Sequence, residues 1–478
     1  MEVLQRTANR GSISTAAYEI DNSISFDKNT NESLYRTPSS SGNQRTFTFS
    51  AWVKFSHINT GVSDWSTLYS AGDYTSTGPS FRIGHHTNNS LQVSFYTNSA
   101  YTGYYRTDAL FRDCSAWYHF VCAIDTTQAT NTNRVKIYVN GEQASTDSVV
   151  SHISQNYDTG VNTGIQHELG LFTNGGNPTA VASEYIAETH LIDGQALAPT
   201  EFGEVDSDTG IWIPKKYTGS YGTNGVYLDY ADAGDLGDDE SGNGNDYTEY
   251  NMDASDQATD TPTNNFCTLN PNVNFKYGTN AGGMINGATV YGDDTGGGVG
   301  GAFGTFGVTA GKWYWEMKLS QQVSHYPGIS AVDDGANVLV TSDPHEVNST
   351  FNYNISAARR EYFNSGTRTY GSLDEFGDFH TPGDIIAIAL NMDDNQISIY
   401  CNGTLQSGIA NSSIFDAANK MVVPFHGTIN DEVQYNFGGY SAWTPSSAAT
   451  DANGYGTFEY APPTGYYALC TKNLAEYG

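Results

Sequence analysis

The residues best suited to binding a ligand lie in an aromatic run at residues 96–106, which combines tyrosines with a cation. An exposed ring can stack on the face of a sugar, and neighbouring polar groups can hydrogen-bond the sugar's hydroxyls. The same side chains give a protein interface a large contact area at low entropic cost, so sugar contact and subunit contact are supported equally. With two earlier loop aromatics included, the candidate contact residues are Trp65, Tyr74, Tyr96, Tyr101, Tyr104, Tyr105 and Arg106.

A second candidate site is the acidic, glycine-broken loop at residues 235–246. Its carboxylate and amide oxygens are of the kind that bind Ca²⁺. The spacing is not that of an EF-hand, because no Glu stands at the twelfth position with a Gly at the sixth. A solvated linker is the alternative. The possible calcium ligands are Asp235, Asp238, Asp239, Asn243 and Asp246, and the sequence requires no other cofactor.

Hydrolytic chemistry has little support in the sequence. Glycoside hydrolysis needs two carboxyl groups roughly 5 to 10 Å apart, and the densest acidic cluster of the second half, residues 374–378, is typical of a solvated turn. No Gly-x-Ser-x-Gly elbow, Walker loop or His-Glu-x-x-His helix occurs. His85 and His86 are adjacent, and neighbours in a strand face opposite ways, so we do not expect them to share a metal ion. The chain is predicted not to be an enzyme.

The charge balance disfavours several kinds of partner. With 21 Lys and Arg against 52 Asp and Glu, the formal net charge is −31, which opposes nucleic acid binding. The sequence has no apolar run of about 18 residues, so no membrane insertion is expected, and residues 1–6 lack the layout of a signal peptide. The five cysteines are scattered and form no Cys-x-x-Cys pair, which favours folding in a reducing cytoplasm.

Short-period alternation of polar and apolar residues dominates the chain and predicts an all-β protein. Thr46–Lys54 alternates, Trp117–Ile124 is typical of a central strand, and Asn140-Gly141 predicts a tight hairpin turn. Residues 196–202 form the one plausible short helix. Four tryptophans stand within apolar strand patterns and are assigned to the core: Trp52, Trp117, Trp313 and Trp315.

Composition divides the chain into successive segments. Acids and glycines between Asp229 and Asp260 offer little to a core and predict a linker, with an antiparallel β-sandwich on either side of it. The predicted segments are 1–19, an N-terminal anchor or contact segment; 20–230, the first sandwich; 231–264, an acidic Gly-rich linker; 265–440, the second sandwich; and 441–478, a C-terminal extension.

Both sandwiches carry motifs of known families. Thr46–Lys54, Trp117–Ile124 and Val135–Glu142 stand in the order found in the concanavalin A-like, laminin-G type jelly-roll family, which residues 20–200 resemble. Residues 265–440 resemble SPRY-type sandwiches, through Gly311–Glu316, Tyr326–Ile329, Gly383–Ile386 and Tyr400–Gly403. The implied fold is two tandem antiparallel β-sandwiches, a laminin-G/concanavalin A-like jelly roll followed by a SPRY-like sandwich. Such lectin and laminin-G sandwiches often hold a calcium ion beside the ligand, which is why the acidic loop is a candidate metal site.

The pairing of the two sandwiches is similar to modular virion proteins of tailed bacteriophages. The phrases that recur in them are, in this sequence, Arg36–Ser40, Phe202–Glu204, Pro214–Gly222 and Pro462–Thr471. The resemblance implies a virion appendage assembled in the host cytoplasm, such as a tail fibre, that contributes to host-surface glycan adhesion or particle assembly. Its implied partners are other virion subunits, a host-surface glycan and copies of itself, with a trimer as one form. A head decoration protein and a polysaccharide depolymerase are the alternatives.

Overall fold

The computed structural model describes residues 18–58, 65–146, 149–277, 283–291, 299–320, 325–332, 350–355, 359–364, 367–370, 381–406, 412–413, 421–429 and 432–478. The chain divides into two compact units at residue 263, and each is described by itself. Residues 14–263 form the N-terminal unit, and residues 264–478 belong to the C-terminal unit.

The N-terminal unit is built from two large antiparallel sheets. Its strands are β1 (Ser23–Ser25), β2 (Ser33–Arg36), β3 (Thr46–Phe55), β4 (Ser66–Ala71), β5 (Pro79–His85), β6 (Leu91–Thr97), β7 (Ala100–Arg106), β8 (Trp117–Asp125), β9 (Val135–Val139), β10 (Glu142–Gln143), β11 (Val149–Ser151), β12 (His167–Leu169), β13 (Phe172–Asn174), β14 (Asn177–Thr179), β15 (Glu184–Asp193), β16 (Gly203–Val205), β17 (Trp212–Pro214), β18 (Val226–Leu228), β19 (Thr248–Tyr250) and β20 (Gln257–Ala258). Sheet 1 has the order β10-β9-β8-β3-β15-β1-β20, with β18 paired to β15. Sheet 2 has the order β11-β7-β6-β5-β4-β12-β2-β19.

The two sheets pack face to face through aromatic side chains. Alternation along β3 turns Phe47 and Phe49 to the inner face of sheet 1. Phe47 meets Phe81 of β5 edge-on, with 5.5 Å between the ring centroids, and Phe49 stacks on Tyr69 of β4 at 5.2 Å. All four rings are buried in one continuous core. The first sandwich that the alternation predicts is therefore present, as two sheets that share one interior.

The C-terminal unit repeats this architecture with different strands. They are β21 (Leu269–Tyr277), β22 (Gly283–Ile285), β23 (Thr289–Tyr291), β24 (Val299–Gly304), β25 (Lys312–Leu319), β26 (His325–Val332), β27 (Thr350–Asn354), β28 (Arg359–Asn364), β29 (Thr367–Tyr370), β30 (Ile385–Asn391), β31 (Gln396–Cys401), β32 (Thr404–Leu405), β33 (Ser412–Ser413), β34 (Met421–Ile429), β35 (Glu432–Asn436) and β36 (Tyr467–Ala468), followed by helix α1 (Thr471–Tyr477). One sheet has the order β21-β24-β34-β26-β27-β28-β29, and the other β22-β23-β35-β25-β30-β31-β32. Trp315 and Ile388 of the second sheet share a buried cluster with Ile329 and Val422 of the first. The predicted all-β fold of two tandem antiparallel sandwiches is confirmed.

The segment predicted to be a linker, residues 231–264, is folded into the N-terminal unit. It contributes β19 to the edge of sheet 2 and β20 to the edge of sheet 1. Leu236 and Tyr247 reach the core between the sheets, and Asp260 is fully buried. The composition is misleading here because two of the few large apolar residues among the acids, Leu236 and Tyr247, point inward.

The predicted C-terminal extension, residues 441–478, also packs against its own unit. β36 runs parallel to β25, pairing Tyr467 with Trp313. The carboxylate of Asp451 accepts hydrogen bonds from the Ala468 amide at 2.9 Å and the Asn473 side chain at 2.8 Å. α1 is the one α-helix of the described residues, whereas the predicted helix at 196–202 is a single 3₁₀ turn at Pro199–Glu201, because Pro199 and Gly203 confine it to one turn. The domain boundaries themselves stay predictions.

The outer face of sheet 1 is covered by the unit's own chain. Lys54 of β3 projects from this face and forms an ion pair with Asp260, with 2.6 Å between Nζ and Oδ2, and both side chains are fully buried. Trp117 of β8 donates its indole N–H to the other Asp260 oxygen at 3.0 Å. The four tryptophans assigned to the core are all buried, but Trp52 and Trp117 lie on this covered outer face and not between the sheets.

Candidate functional site

The outer face of sheet 2 carries the predicted aromatic residues. In β5 and β6, Phe81 and Phe95 point into the core, so their neighbours Arg82, Ser94 and Tyr96 point outward. We call this surface the aromatic face. Its members are Trp65, Tyr74, Arg82, Tyr96, Tyr101, Tyr104, Arg106 and Phe172.

The tyrosine run at 96–106, which the sequence places between strands, is itself a β-hairpin. Asn98 and Ser99 both have positive φ, as a tight two-residue turn between β6 and β7 requires. An irregularity in the register of β6 and β7 near Tyr96 interrupts the period-2 alternation, which hides the strand in the sequence. The hairpin brings Tyr101 within 4.7 Å of Tyr96 and 5.3 Å of Tyr104, measured between ring centroids. Tyr101 is 45% exposed and forms the outermost ring.

Tyr74 closes one end of the aromatic face. Its ring meets Tyr96 edge-on at 5.3 Å, and its hydroxyl donates to the Ser99 carbonyl at 2.7 Å. The preceding Asp73 accepts from the amides of Gly175 and Gly176, at 3.0 and 2.8 Å. Burial alone would raise the pKa of Asp73, but these hydrogen bonds and those from Thr75 hold it well below its ordinary value. A charged Asp73 therefore anchors the β13–β14 hairpin beside the rings.

The other end of the face is positively charged. The guanidinium of Arg82 lies 4.0 Å from the centroid of Trp65, and Trp65 in turn meets His86 edge-on at 4.2 Å. Arg106 donates from Nε to the Gln92 side chain at 2.7 Å. Burial, and then the charges of Arg106 and Arg82, lower the pKa of His86 to about 4. His85 points the opposite way and stacks on Phe55 in the interior at 4.3 Å, as alternation requires.

Tyr105 does not share this face, although the sequence groups it with the contact residues. It alternates with Tyr104 and Arg106 and points into the core, where it is 2% exposed. Its hydroxyl accepts the Ile153 amide at 3.3 Å. Arg82 and Phe172 were absent from the predicted set; the only signal for Arg82 is a cation at an outward position of a strand, between Phe81 and Ile83.

The acidic loop that the sequence nominates for calcium uses its oxygens within the protein. Asp239 accepts from the amides of Tyr227 and Asn245, at 2.9 and 2.8 Å, and also from Ser241. Asp246 accepts the Asp239 amide at 3.2 Å, while Asn243 donates to two backbone carbonyls. Asp235 and Asp238 are exposed. These residues fit a cation poorly because the carboxylate of Asp239, the buried one among them, already faces N–H and O–H donors. Within the described ranges, no three His, Cys, Asp or Glu side chains form a metal-binding group, and calcium binding here stays a prediction.

A buried polar cluster on sheet 1 has no counterpart in the sequence predictions. Glu188 has a φ of +50° at a register shift in β15 and is 6% exposed. Its carboxylate accepts from the hydroxyls of Tyr18 and Tyr227, at 2.6 and 2.7 Å, and lies 3.2 Å from Nε2 of His190. Burial alone would raise the pKa of Glu188, but these partners outweigh it and hold the pKa below its ordinary value. Because the oxygens of Glu188 are occupied by these partners, the cluster holds the register shift of β15 in place. An acidic residue inside an apolar strand, followed two residues later by a histidine, is the sequence signal that could have revealed this cluster.

The acidic cluster at 374–378 lies outside the described residues, as do residues 1–17 of the predicted anchor segment. Among the helices that the structure describes, none is long and apolar enough to cross a membrane.

Comparison with known proteins bears on the N-terminal unit. Residues 29–175 match the laminin-G model described as the concanavalin A-like lectin/glucanases superfamily. The N-terminal unit contains a laminin-G/concanavalin A-like jelly-roll domain. No curated protein matches the chain.

Several solved structures are similar to parts of the chain. The SPRY domain of human HERC1 is 20% identical, with a TM-score of 0.26 over 35% of this chain and 96% of that one. A heptameric SAP-like pentraxin from Limulus polyphemus is 16% identical, with a TM-score of 0.29 over 44% of this chain and 96% of that one. A candidate carbohydrate binding protein from Bacteroides ovatus is 15% identical, with a TM-score of 0.33 over 48% of this chain and 58% of that one.

Proposed function

We propose that the N-terminal unit binds a glycan on its aromatic face, without turning it over. The observation that carries this proposal is the exposed Tyr101 ring, backed by Tyr96 and Tyr104 on one surface of sheet 2. A sugar ring stacks on such a surface, because its C–H face meets the ring while its hydroxyls stay free for polar groups. The match of residues 29–175 to a superfamily described by its lectins and glucanases supports the proposal.

The polar groups that would orient the sugar surround these rings. Arg106 is half-buried and already held by Gln92, so its remaining donors are fixed in direction. Tyr74 is fixed by its bond to Ser99. A rigid set of rings and donors loses little entropy when a ligand binds, which favours recognition of a flexible polysaccharide chain.

The experiment is a glycan array, followed by calorimetry on the full chain. Tyr101→Ala removes the exposed ring and should weaken binding about tenfold, the effect of losing about 1.4 kcal/mol of stacking. Tyr250→Ala is the matched control, because Tyr250 is 49% exposed on β19 at the opposite edge of the same sheet. Equal loss in both variants would contradict the assignment of the site. Binding to no glycan, with self-association that Tyr101→Ala abolishes, would make the surface a subunit contact instead.

Hydrolysis is the second candidate, and one observation favours it. Burial, with some help from the nearby Asp73, raises the pKa of Glu168 to about 7, so two carboxyl groups near the rings differ in protonation as an acid and its partner would. Asp73, however, is occupied by backbone amides, which leaves it poorly placed to attack. Release of reducing ends from a bound polysaccharide, abolished by Glu168→Gln, would replace binding with depolymerase activity.

We further propose that the chain is a structural protein of a bacteriophage particle, most simply a tail fibre or other appendage. The support is the recurrence of its sequence phrases in modular virion proteins, and head decoration is the alternative. A density map of intact particles would locate the chain and count its copies. Tail projections with the aromatic face outward are the expected result, a position across capsid subunits would indicate decoration, and absence from particles would overturn the proposal.

A further inference from the structure

Arg82 is a buried cation for which the described residues supply no anion. Its side chain is 6% exposed, and its Nε atom is fully enclosed without a hydrogen-bond partner. No ion pair to Arg82 is formed by any described residue. A guanidinium removed from water is costly unless an anion or a set of acceptors replaces the lost hydration, so the free protein leaves this group incompletely satisfied.

Aromatic rings enclose Arg82 and give it a defined orientation. Its guanidinium carbon lies 4.0 Å from the centroid of Trp65, 5.2 Å from Phe172 and 5.9 Å from Tyr96. Ring faces attract a cation and hold a planar guanidinium. The rings do not accept its N–H groups as a carboxylate would. The guanidinium is therefore held in one orientation while its N–H donors lack a carboxylate acceptor.

Of the described carboxylates on this side of sheet 2, neither Glu168 nor Asp73 replaces the missing partner. Glu168 lies in register across sheet 2 from Ser70, which lies across from Arg82. Its carboxylate accepts from Gln166 and not from Arg82. Asp73 is committed to the β13–β14 hairpin. At the other end of the face, the positive charges of Arg106 and Arg82 both lower the pKa of His86. A chain with a net charge of −31 thus places two cations beside one another on the aromatic face.

We propose that Arg82 receives the carboxylate of an acidic sugar, so that the glycan bound on the aromatic face is a uronate-containing polysaccharide. This inference rests on the proposed glycan binding. A carboxylate matches the guanidinium fork with two parallel hydrogen bonds, while the sugar ring that bears it lies along Trp65, which is partly exposed. Arg106, half-buried on the same face, adds long-range attraction for a polyanionic chain.

The test compares two probes that share a sugar backbone and differ at the carboxyl group: a galacturonate oligomer, which is charged, and the same oligomer with its carboxyls methyl-esterified, which is neutral. Calorimetry on the full chain should give at least tenfold tighter binding of the free acid. Arg82→Met keeps the aliphatic stem and removes the charge, and it should bring the two affinities together. Arg45→Met is the control, because Arg45 is an exposed cation paired to Asp158 away from this face; it should preserve the preference.

The outcomes separate this inference from the proposed function. Equal binding of acid and ester by the unaltered chain, or a preference that survives in Arg82→Met, would overturn the role of Arg82 and leave glycan binding in place. Binding of neither probe, together with an empty glycan array, would overturn both. A thermal unfolding scan of Arg82→Met establishes that the variant is folded, and Arg82→Lys, which keeps the charge without the planar fork, should retain part of the preference.

Discussion

On the outer face of sheet 1, Lys54 lies 2.6 Å from Asp260, and both are fully buried; on the outer face of sheet 2, Arg82 lies among three rings, and the part of the chain that the structure describes gives it no such partner. The buried glutamates differ in the same way. Glu188 on sheet 1 is held charged by His190 and two tyrosines, whereas burial raises the pKa of Glu168 on sheet 2 to about 7. On sheet 1 the buried charges are neutralised by partners within the chain. On sheet 2 Arg82 is buried as well, but no described residue forms an ion pair with it, and such a site is suited to an anionic ligand.

Removing the carboxylate of Asp260 should have the largest effect on this contrast. Asp260→Ala leaves Lys54 buried without that ion-pair partner and should cost about 3–5 kcal/mol of the free energy of unfolding. Hydrogen exchange of β3 amides in the full chain measures the change locally. Asp235→Ala, at an exposed acid of the same segment, is the control, and similar losses in both would mean that burial of the pair is not what stabilises the face.

Neutralising Glu188 should have the next largest effect. Glu188→Gln weakens hydrogen bonds to a charged group, at about 1.5–3 kcal/mol near pH 7. Because the pKa of Glu188 is lowered in the folded state, the wild-type advantage is complete above the ordinary glutamate pKa and shrinks as the pH falls through the lowered one. Unfolding of wild type and variant across pH 2–7 checks this. Glu204→Gln, in exposed β16, should show no such dependence; a pH-independent difference for Glu188→Gln would contradict the assignment.

Glu168 should show the opposite sign. Its raised folded pKa means that the folded state binds the extra proton, so wild-type stability falls as the pH rises from about 4.5 to about 7 and stays lower above that. Glu168→Gln should remove this loss, so that the stability of the variant relative to wild type rises by about 3 kcal/mol between pH 4 and pH 8. The exposed Glu142→Gln is the control. If Glu168→Gln instead lost stability at pH 8, Glu168 would have a cationic partner. The buried charges of the two sheet faces would then not differ in pairing.

Arg82→Met should change the free energy of unfolding least, by about 1 kcal/mol or less in either direction, because lost ring contacts offset the relief of an unpaired charge. Lys54→Met is the matched variant on sheet 1 and should be far more costly, since it leaves Asp260 buried without its ion-pair partner. Thermal unfolding of the two full-length variants compares them directly. Equal losses would mean that Arg82 is neutralised in the free protein.

The fold was accessible from the sequence because alternation in β3 and the continuous apolar run in β8 are both typical of strands. The segment 231–264 was not, since Leu236 and Tyr247 are isolated among polar and acidic residues and Asp260 stands among threonines, and their burial depends on a sheet formed far earlier in the chain. Trp52 and Trp117 illustrate the same limit. Their burial was predictable, but which side of the sheet covers them was not.

The aromatic face was predictable in part. Tyr96, Tyr101 and Tyr104 stand out by composition, while the bulge that turns Tyr105 inward leaves little trace in a run of aromatics. Arg82 and Phe172 come from strands distant in sequence and meet only through the register of sheet 2. The pairing state of a buried charge is a property of its neighbours in space, so sequence periodicity does not reveal it.

The ion pair on sheet 1 also sets an order of events during synthesis. Asp260 follows Lys54 by 206 positions, which a ribosome takes about 10–40 s to translate. Until then the nascent chain holds β3 with the ammonium of Lys54 in water and the neighbouring indoles uncovered. The N-terminal unit therefore finishes folding only when residues 256–263 have left the ribosome, and a nascent chain halted near residue 230 would be a natural target for chaperones.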